Sequence, residues 1–233
     1  MIFQRFIVSF LAFTAWMSVW AQEEKGLNFS MGADWVSSFV WRGNQLAGMS
    51  VQPVMGLAIS GFSISAWGSV DGEALYKEVD FTLGYKKGGV SVELIDYWTA
   101  CGYKYFDYRK DKTGHILEAK LGYVLPVKSF PLSLSWNTFW AGADLDPEGK
   151  REYSTYIEAL YPFFLKDVAW TAGLGLSPWK SAIYKTDKMA VVNLSLKASK
   201  TIQITDHFSL PIFGQIVVNP YREDIFFVFG LSL

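Results

Sequence analysis

Two histidines, one acidic loop and an uneven set of carboxylates are the residues whose types and spacing bear on chemistry. In His207-Phe208-Ser209 an imidazole and a hydroxyl stand two residues apart. On a strand such residues share a face, where the ring can take the hydroxyl proton. The triplet falls beside a short turn, and serine is abundant in the chain, so no catalytic residue is assigned. His115 sits beside Ile116, Leu117 and Glu118 with no neighbouring His or Cys to complete a metal set, and is expected to be a surface histidine. Asp144, Asp146 and Glu148 in "ADLDPEG" lack the ligand spacing of a calcium loop and read as a solvated acidic loop. Neither a metal site nor a cofactor is assigned. Cys101 is the single cysteine, so no internal disulfide forms.

The remaining carboxylates fall on a pattern. In "LNFSMGADW", Leu27, Phe29, Met31, Ala33 and Trp35 alternate with Asn28, Ser30, Gly32 and Asp34. Alternate side chains of a strand face opposite sides, so one face is apolar and the other polar. The alternation recurs and predicts strands near 27–41, 48–60, 62–71, 77–87, 90–99, 115–125, 131–141, 152–162, 168–176, 190–200, 208–219 and 224–233. On the polar face stand Asp34, Glu78, Asp80, Glu93, Glu118 and Glu158, against only Lys120 and Lys197. Carboxylates gathered around a lumen would favour cations. Arg42, beside the first loop, is expected near the mouth and could pair with one of them.

Twelve strands must position these residues, and the connections between them alternate in length. Short turns at Gly61, "KKGG", "PVKSF" and "FFLKD" contrast with longer polar loops such as "ACGYKYFDYRKDKTG" and "SPWKSAIYKTDK". That alternation suits an antiparallel up-and-down transmembrane β-barrel, all-β, with short turns on the periplasmic side. A β-sandwich would also alternate, but its apolar face would be a shared core. Here Tyr85, Tyr123 and Tyr161 lie on the apolar parity at the short-turn ends. Trp35, Trp41, Trp98, Trp140 and Tyr153 lie near the long-loop ends, giving the two ring belts that a bilayer favours. Composition agrees: aromatics reach 17 % and charged residues only 18 %, and a net charge of −1 gives no reason to expect nucleic acid. The apolar run "FIVSFLAFTAWMSVWA" reads as a secretory signal over residues 1–21, an anchor helix being the alternative, and the barrel occupies 22–233. The closing "IFFVFGLSL" resembles the C-terminal signal read by the barrel-assembly machinery, with Leu where Phe is commonest.

The segment "VSSFVWRGNQLAGMSVQPVMGLAISGFSISAWGS" (36–69) resembles a family of uncharacterised bacterial outer-membrane proteins, often described as porin-like. The matching positions are Trp41, Arg42 and Gly43, then Pro53 and Gly56, then Trp67 and Gly68, the Pro-to-Gly spacing being one residue shorter than the family's usual form. The resemblance implies a barrel and a pore with no established substrate. The function expected from these observations is a narrow, weakly cation-selective channel for small solutes. The alternatives are a plugged structural envelope barrel and, behind it, a lipid-modifying enzyme. Outer-membrane lipid and lipopolysaccharide are the expected surroundings. Residues 100–114, with Cys101, are expected to be extracellular and mobile, Phe229 to face lipid, and Gly230 to face the lumen, where a small polar substitution should matter less than an arginine at Phe229.

Overall fold

A computed structural model describes residues 26–73, 75–99, 102–109 and 112–233. The signal segment and Cys101 lie outside the described residues. The described chain is all-β. Its strands are β1 (Asn28–Val36), β2 (Phe39–Trp41), β3 (Asn44–Ala47), β4 (Ser50–Ile59), β5 (Phe62–Asp71), β6 (Lys77–Lys87) and β7 (Val90–Thr99). They continue with β8 (His115–Val124), β9 (Ser133–Gly142), β10 (Thr155–Leu165), β11 (Val168–Ser177), β12 (Ala190–Thr205), β13 (Phe208–Asn219) and β14 (Asp224–Ser232).

Strands β1 and β4 to β14 pair antiparallel with their sequence neighbours and close into a twelve-stranded barrel, β1 meeting both β4 and β14. Closure leaves no long free edge, because each backbone donor finds an acceptor on a neighbouring strand. The seam is short: Asp34, Trp35 and Val36 oppose Ser232, Leu231 and Gly230, and Ala33 and Leu233 exchange bonds of 3.1 and 2.9 Å. Gly230 does not tolerate a side chain there. A Cβ would lie 2.6 Å from the Trp35 carbonyl oxygen and 2.5 Å from the Phe213 ring, so the expectation of a permissive position is corrected.

The period-2 pattern resolves into an outside and an inside. Phe29, Met31, Met55, Leu57, Leu83, Leu121, Phe227 and Phe229 are exposed around the wall, while Gln52, Glu78, Asp80, Glu93, Glu118, Asn137, Glu158 and Lys197 are buried within it. Tyr85 and Tyr123 keep exposed rings near the short-turn end. The turns there are tight, and Ser60 and Gly61 at φ of 49° and 86° make the paired left-handed turn that suits a right-twisted hairpin.

The first predicted strand, near 27–41, is the one that differs. It stops at Val36, and residues 39–47 form a separate hairpin of β2 and β3. Alternation alone does not show this break, because "FVW" continues the apolar spacing of "WVSSFV".

Candidate functional site

The β2–β3 hairpin turns into the bore, carried by its tip. Arg42 and Gly43 take φ of 49° and 81°, a left-handed pair that reverses the chain in two residues. Only glycine fits the second position. A Cβ on Gly43 would stand 1.8 Å from the Val192 carbonyl oxygen. Asn219 Nδ2 donates to the Gly43 carbonyl at 3.1 Å, and Arg222 donates to Asn44 Oδ1 at 3.3 Å. The tip is therefore seated against β12 and β13.

Arg42 reaches across the bore to β8, where its two terminal nitrogens donate to the carboxylate oxygens of Glu118 at 2.6 and 2.9 Å. A forked guanidinium–carboxylate pair is among the strong hydrogen-bonded contacts, and here both partners are out of solvent: 7 % and 0 % of the side chains are exposed. Arg42 also donates to the Tyr184 hydroxyl at 2.6 Å, and its guanidinium lies 4.5 and 4.8 Å from the ring centres of Trp41 and Tyr156. Tyr97 donates to Glu118 at 2.8 Å from the neighbouring strand. Tyr156 donates to Glu158 at 2.9 Å and accepts from Asn193 Nδ2 at 2.9 Å. Phe139, Tyr156, Tyr184, Ala190 and Val192 pack together as a core inside the barrel, with Trp41 and Tyr97 against them. Gly175 makes room for Tyr156, whose hydroxyl would lie 2.0 Å from a Cβ at that position.

Arg42 lies inside the bore toward its long-loop end, where it pairs with Glu118, the fourth residue of β8. One expected residue is placed elsewhere. Trp41 is not part of an outer ring belt, since it stacks on Tyr184 at 6.0 Å inside the barrel. Trp41, Arg42 and Gly43 form the tip, and the Trp67 ring on β5 supports Phe39 from the wall at 5.4 Å.

All six carboxylates of the polar face lie on the inward parity, but they are not equivalent. Glu118 answers Arg42, and Glu93 pairs with Lys120 at 3.2 Å. Lys197 lies over the Phe213 ring at 3.8 Å, and Asp34 stands opposite Ser232 at the seam. Glu78 accepts from the Tyr76 hydroxyl at 2.7 Å, and one carboxylate oxygen of Asp80 is buried without a hydrogen-bond partner. Glu78 and Asp80 share one face of β6, and among the described residues no ion pair answers either carboxyl group.

Away from the bore, His115 is fully buried, not a surface histidine. Its Nδ1 faces Asp96 Oδ1 at 2.7 Å, its Nε2 faces the Tyr105 carbonyl oxygen, and the Tyr108 ring stacks on it at 4.0 Å. Asp144 of the acidic loop is turned inward, accepting from the Ser154 amide and hydroxyl at 2.8 and 2.7 Å. His207 and Ser209 lie exposed at the β12–β13 turn, with Ser209 donating to Gln203 at 2.8 Å rather than meeting the imidazole.

Sequence reasoning missed Tyr97, Tyr156 and Tyr184, which surround the Arg42–Glu118 pair. A signal existed in Gly43, a turn residue just past the strand predicted near 27–41. No family model and no curated protein matches the chain, and what the site does must be argued from these side chains.

Proposed function

We propose that the protein is an outer-membrane barrel whose bore is closed at its long-loop end by the β2–β3 hairpin. The Arg42–Glu118 pair carries this reading: it joins the hairpin tip, seated against β12 and β13, to β8 across the bore, and both side chains are shielded from water. The apolar outer face, the belt of exposed Tyr85 and Tyr123, and the resemblance of residues 36–69 to porin-like proteins support the membrane setting. Plugging by side chains is physically natural at this strand number, because a barrel of this size can be filled.

A second reading follows from Glu78 and Asp80. With the hairpin displaced, the excess of carboxylates along the bore makes a narrow, weakly cation-selective path for small solutes. Planar-bilayer recording separates the two. The full chain is expected to be silent. A variant with residues 39–47 replaced by a short turn is expected to conduct, with a cation-favouring reversal potential in a salt gradient. Steady conductance by the unaltered chain would overturn the closure, and anion preference in the variant would overturn the charge argument. Recovery of the protein from the periplasm without detergent would remove the membrane setting itself.

A further inference from the structure

Residues 102–109 do not arch over the bore. They lie against the outside of the barrel. Asp96, Trp98 and His115 belong to the outward parity of β7 and β8, since Trp98 opposes His115 while Tyr97 and Glu118 face inward. Tyr105 packs its ring on Trp98 at 5.3 Å, on His115 at 5.0 Å and on Phe81 of β6 at 6.4 Å. The His115 bond to the Tyr105 carbonyl and the Tyr108 bond to Asp96 at 3.2 Å fasten the loop to the wall.

Near this loop the wall is hollowed. An open groove of about 220 Å³ runs between strands β5 to β9, lined by Ile64, Phe81, Leu83, Leu94, Leu117 and Trp140. Phe81, shared by the groove and the Tyr105 contact, joins the two. A groove of this composition on a lipid-facing wall accepts hydrocarbon. The loop beside it has another character. Lys104, Arg109 and Lys112 are exposed, as are the rings of Tyr103, Phe106 and Tyr108. Asp107 is already answered by Arg109, whose guanidinium holds its carboxyl down at about 2. Among the described residues Lys104 and Lys112 enter no ion pair. Asp96, which also lines the groove, is held by His115 and the Tyr108 hydroxyl, so among the described residues Lys104 and Lys112 are the exposed cations of this loop left to meet an anion. Rings at headgroup depth and cations at phosphate depth are the ordinary means of holding an anionic lipid at an interface.

We infer that this face binds a phosphate-bearing acyl lipid, with one chain in the groove between β5 and β9 and the phosphate at Lys104 and Lys112. The inference rests on the membrane setting proposed above and commits to a lipid rather than a free phosphate ion, because the groove supplies the apolar half of the site.

The test uses the full mature chain in nanodiscs of phosphatidylcholine containing a minor share of phosphatidic acid, followed by release into mild detergent and native mass spectrometry. Retained lipid is expected to be enriched in phosphatidic acid. Lys104→Gln with Lys112→Gln should lower that enrichment by about fivefold for each cation removed. Lys180→Gln with Lys185→Gln, on another loop, should leave it unchanged. Leu94→Trp, which fills the groove, should reduce retention of phosphatidic acid, and millimolar inorganic phosphate should not displace it. Retained lipid of the same composition as the disc, or enrichment insensitive to the Lys104 and Lys112 changes, would overturn the inference and leave only bulk lipid contact. Displacement by inorganic phosphate would overturn the lipid in favour of an ion. Failure of a heat-modifiable, folded chain to enter discs at all would instead refute the membrane setting on which the site depends.

Discussion

Residues 37–49 and residues 102–109 belong to connections at the same end of the barrel and fold in opposite directions. The first enters the bore behind Arg42, and the second lies down on the outer wall behind Tyr105. Each is held where one residue near its tip finds partners. Arg42 finds a carboxylate, a phenol and two ring faces inside the barrel. Tyr105 finds Trp98, Phe81 and His115 outside it. Loop length does not decide the direction: the connections from Val36 to Ser50 and from Thr99 to His115 are similar in length, yet one crosses the bore and the other stays outside. A barrel of alternating strands thus offers two surfaces to every loop, and the match of chemistry chooses between them.

The comparison breaks most visibly at Arg42. Arg42→Ala removes one member of a buried ion pair and strands Glu118 in the bore, at a cost of about 3–5 kcal/mol. Urea titration of the folded chain in detergent, read against the unaltered protein, measures it. The same variant should conduct in bilayers where the parent is silent. A loss below 1 kcal/mol with unchanged silence would mean that the pair neither anchors the hairpin nor closes the bore.

Gly43 sharpens the point with a smaller effect. Gly43→Ala meets the Val192 carbonyl and must hold a left-handed conformation, so the tip has to lift from β12, costing about 1–3 kcal/mol. The expected signature is brief conductance events rather than a fully open bore, because Arg42 and Glu118 can still meet. Silence equal to that of the parent would show that the tip tolerates displacement without unsealing the barrel.

The strands were legible from alternation because a single surface, the wall, imposes one period on every one of them. Phe227, Phe229 and Leu231 needed only their spacing to be placed together, though Gly230 between them was misjudged because the approach of Trp35 and Phe213 depends on how the seam closes. The inward parity of Glu118 and Glu158 was legible for the same reason. That Arg42 could answer one of them was legible too, but which one, and what surrounds the pair, was not. Tyr184 reaches Arg42 across 142 residues of sequence, and no local period encodes such a meeting. His115 was misread as exposed because its covering came from residues 105–108, whose direction of folding has no signature in the spacing of apolar residues.

His115 offers the gentlest way to separate the two loops. His115→Ala removes the bonds to Asp96 and to the Tyr105 carbonyl and the stacking surface under Tyr108, while Asp96 keeps the Tyr108 hydroxyl. Asp96 and the Tyr105 carbonyl then face water, so the net loss is about 1–2 kcal/mol, felt locally. Hydrogen exchange should quicken over residues 102–109 and stay unchanged over 39–47. Conductance should remain that of the parent, since none of the removed contacts reaches the bore. If the variant instead opened the barrel, or if exchange rose equally in the β2–β3 hairpin, the outer and inner loops would be one coupled unit. The wall between them, held at β7 and β8 by the paired Trp98–His115 and Tyr97–Ile116 registers, would then be transmitting the change rather than isolating it.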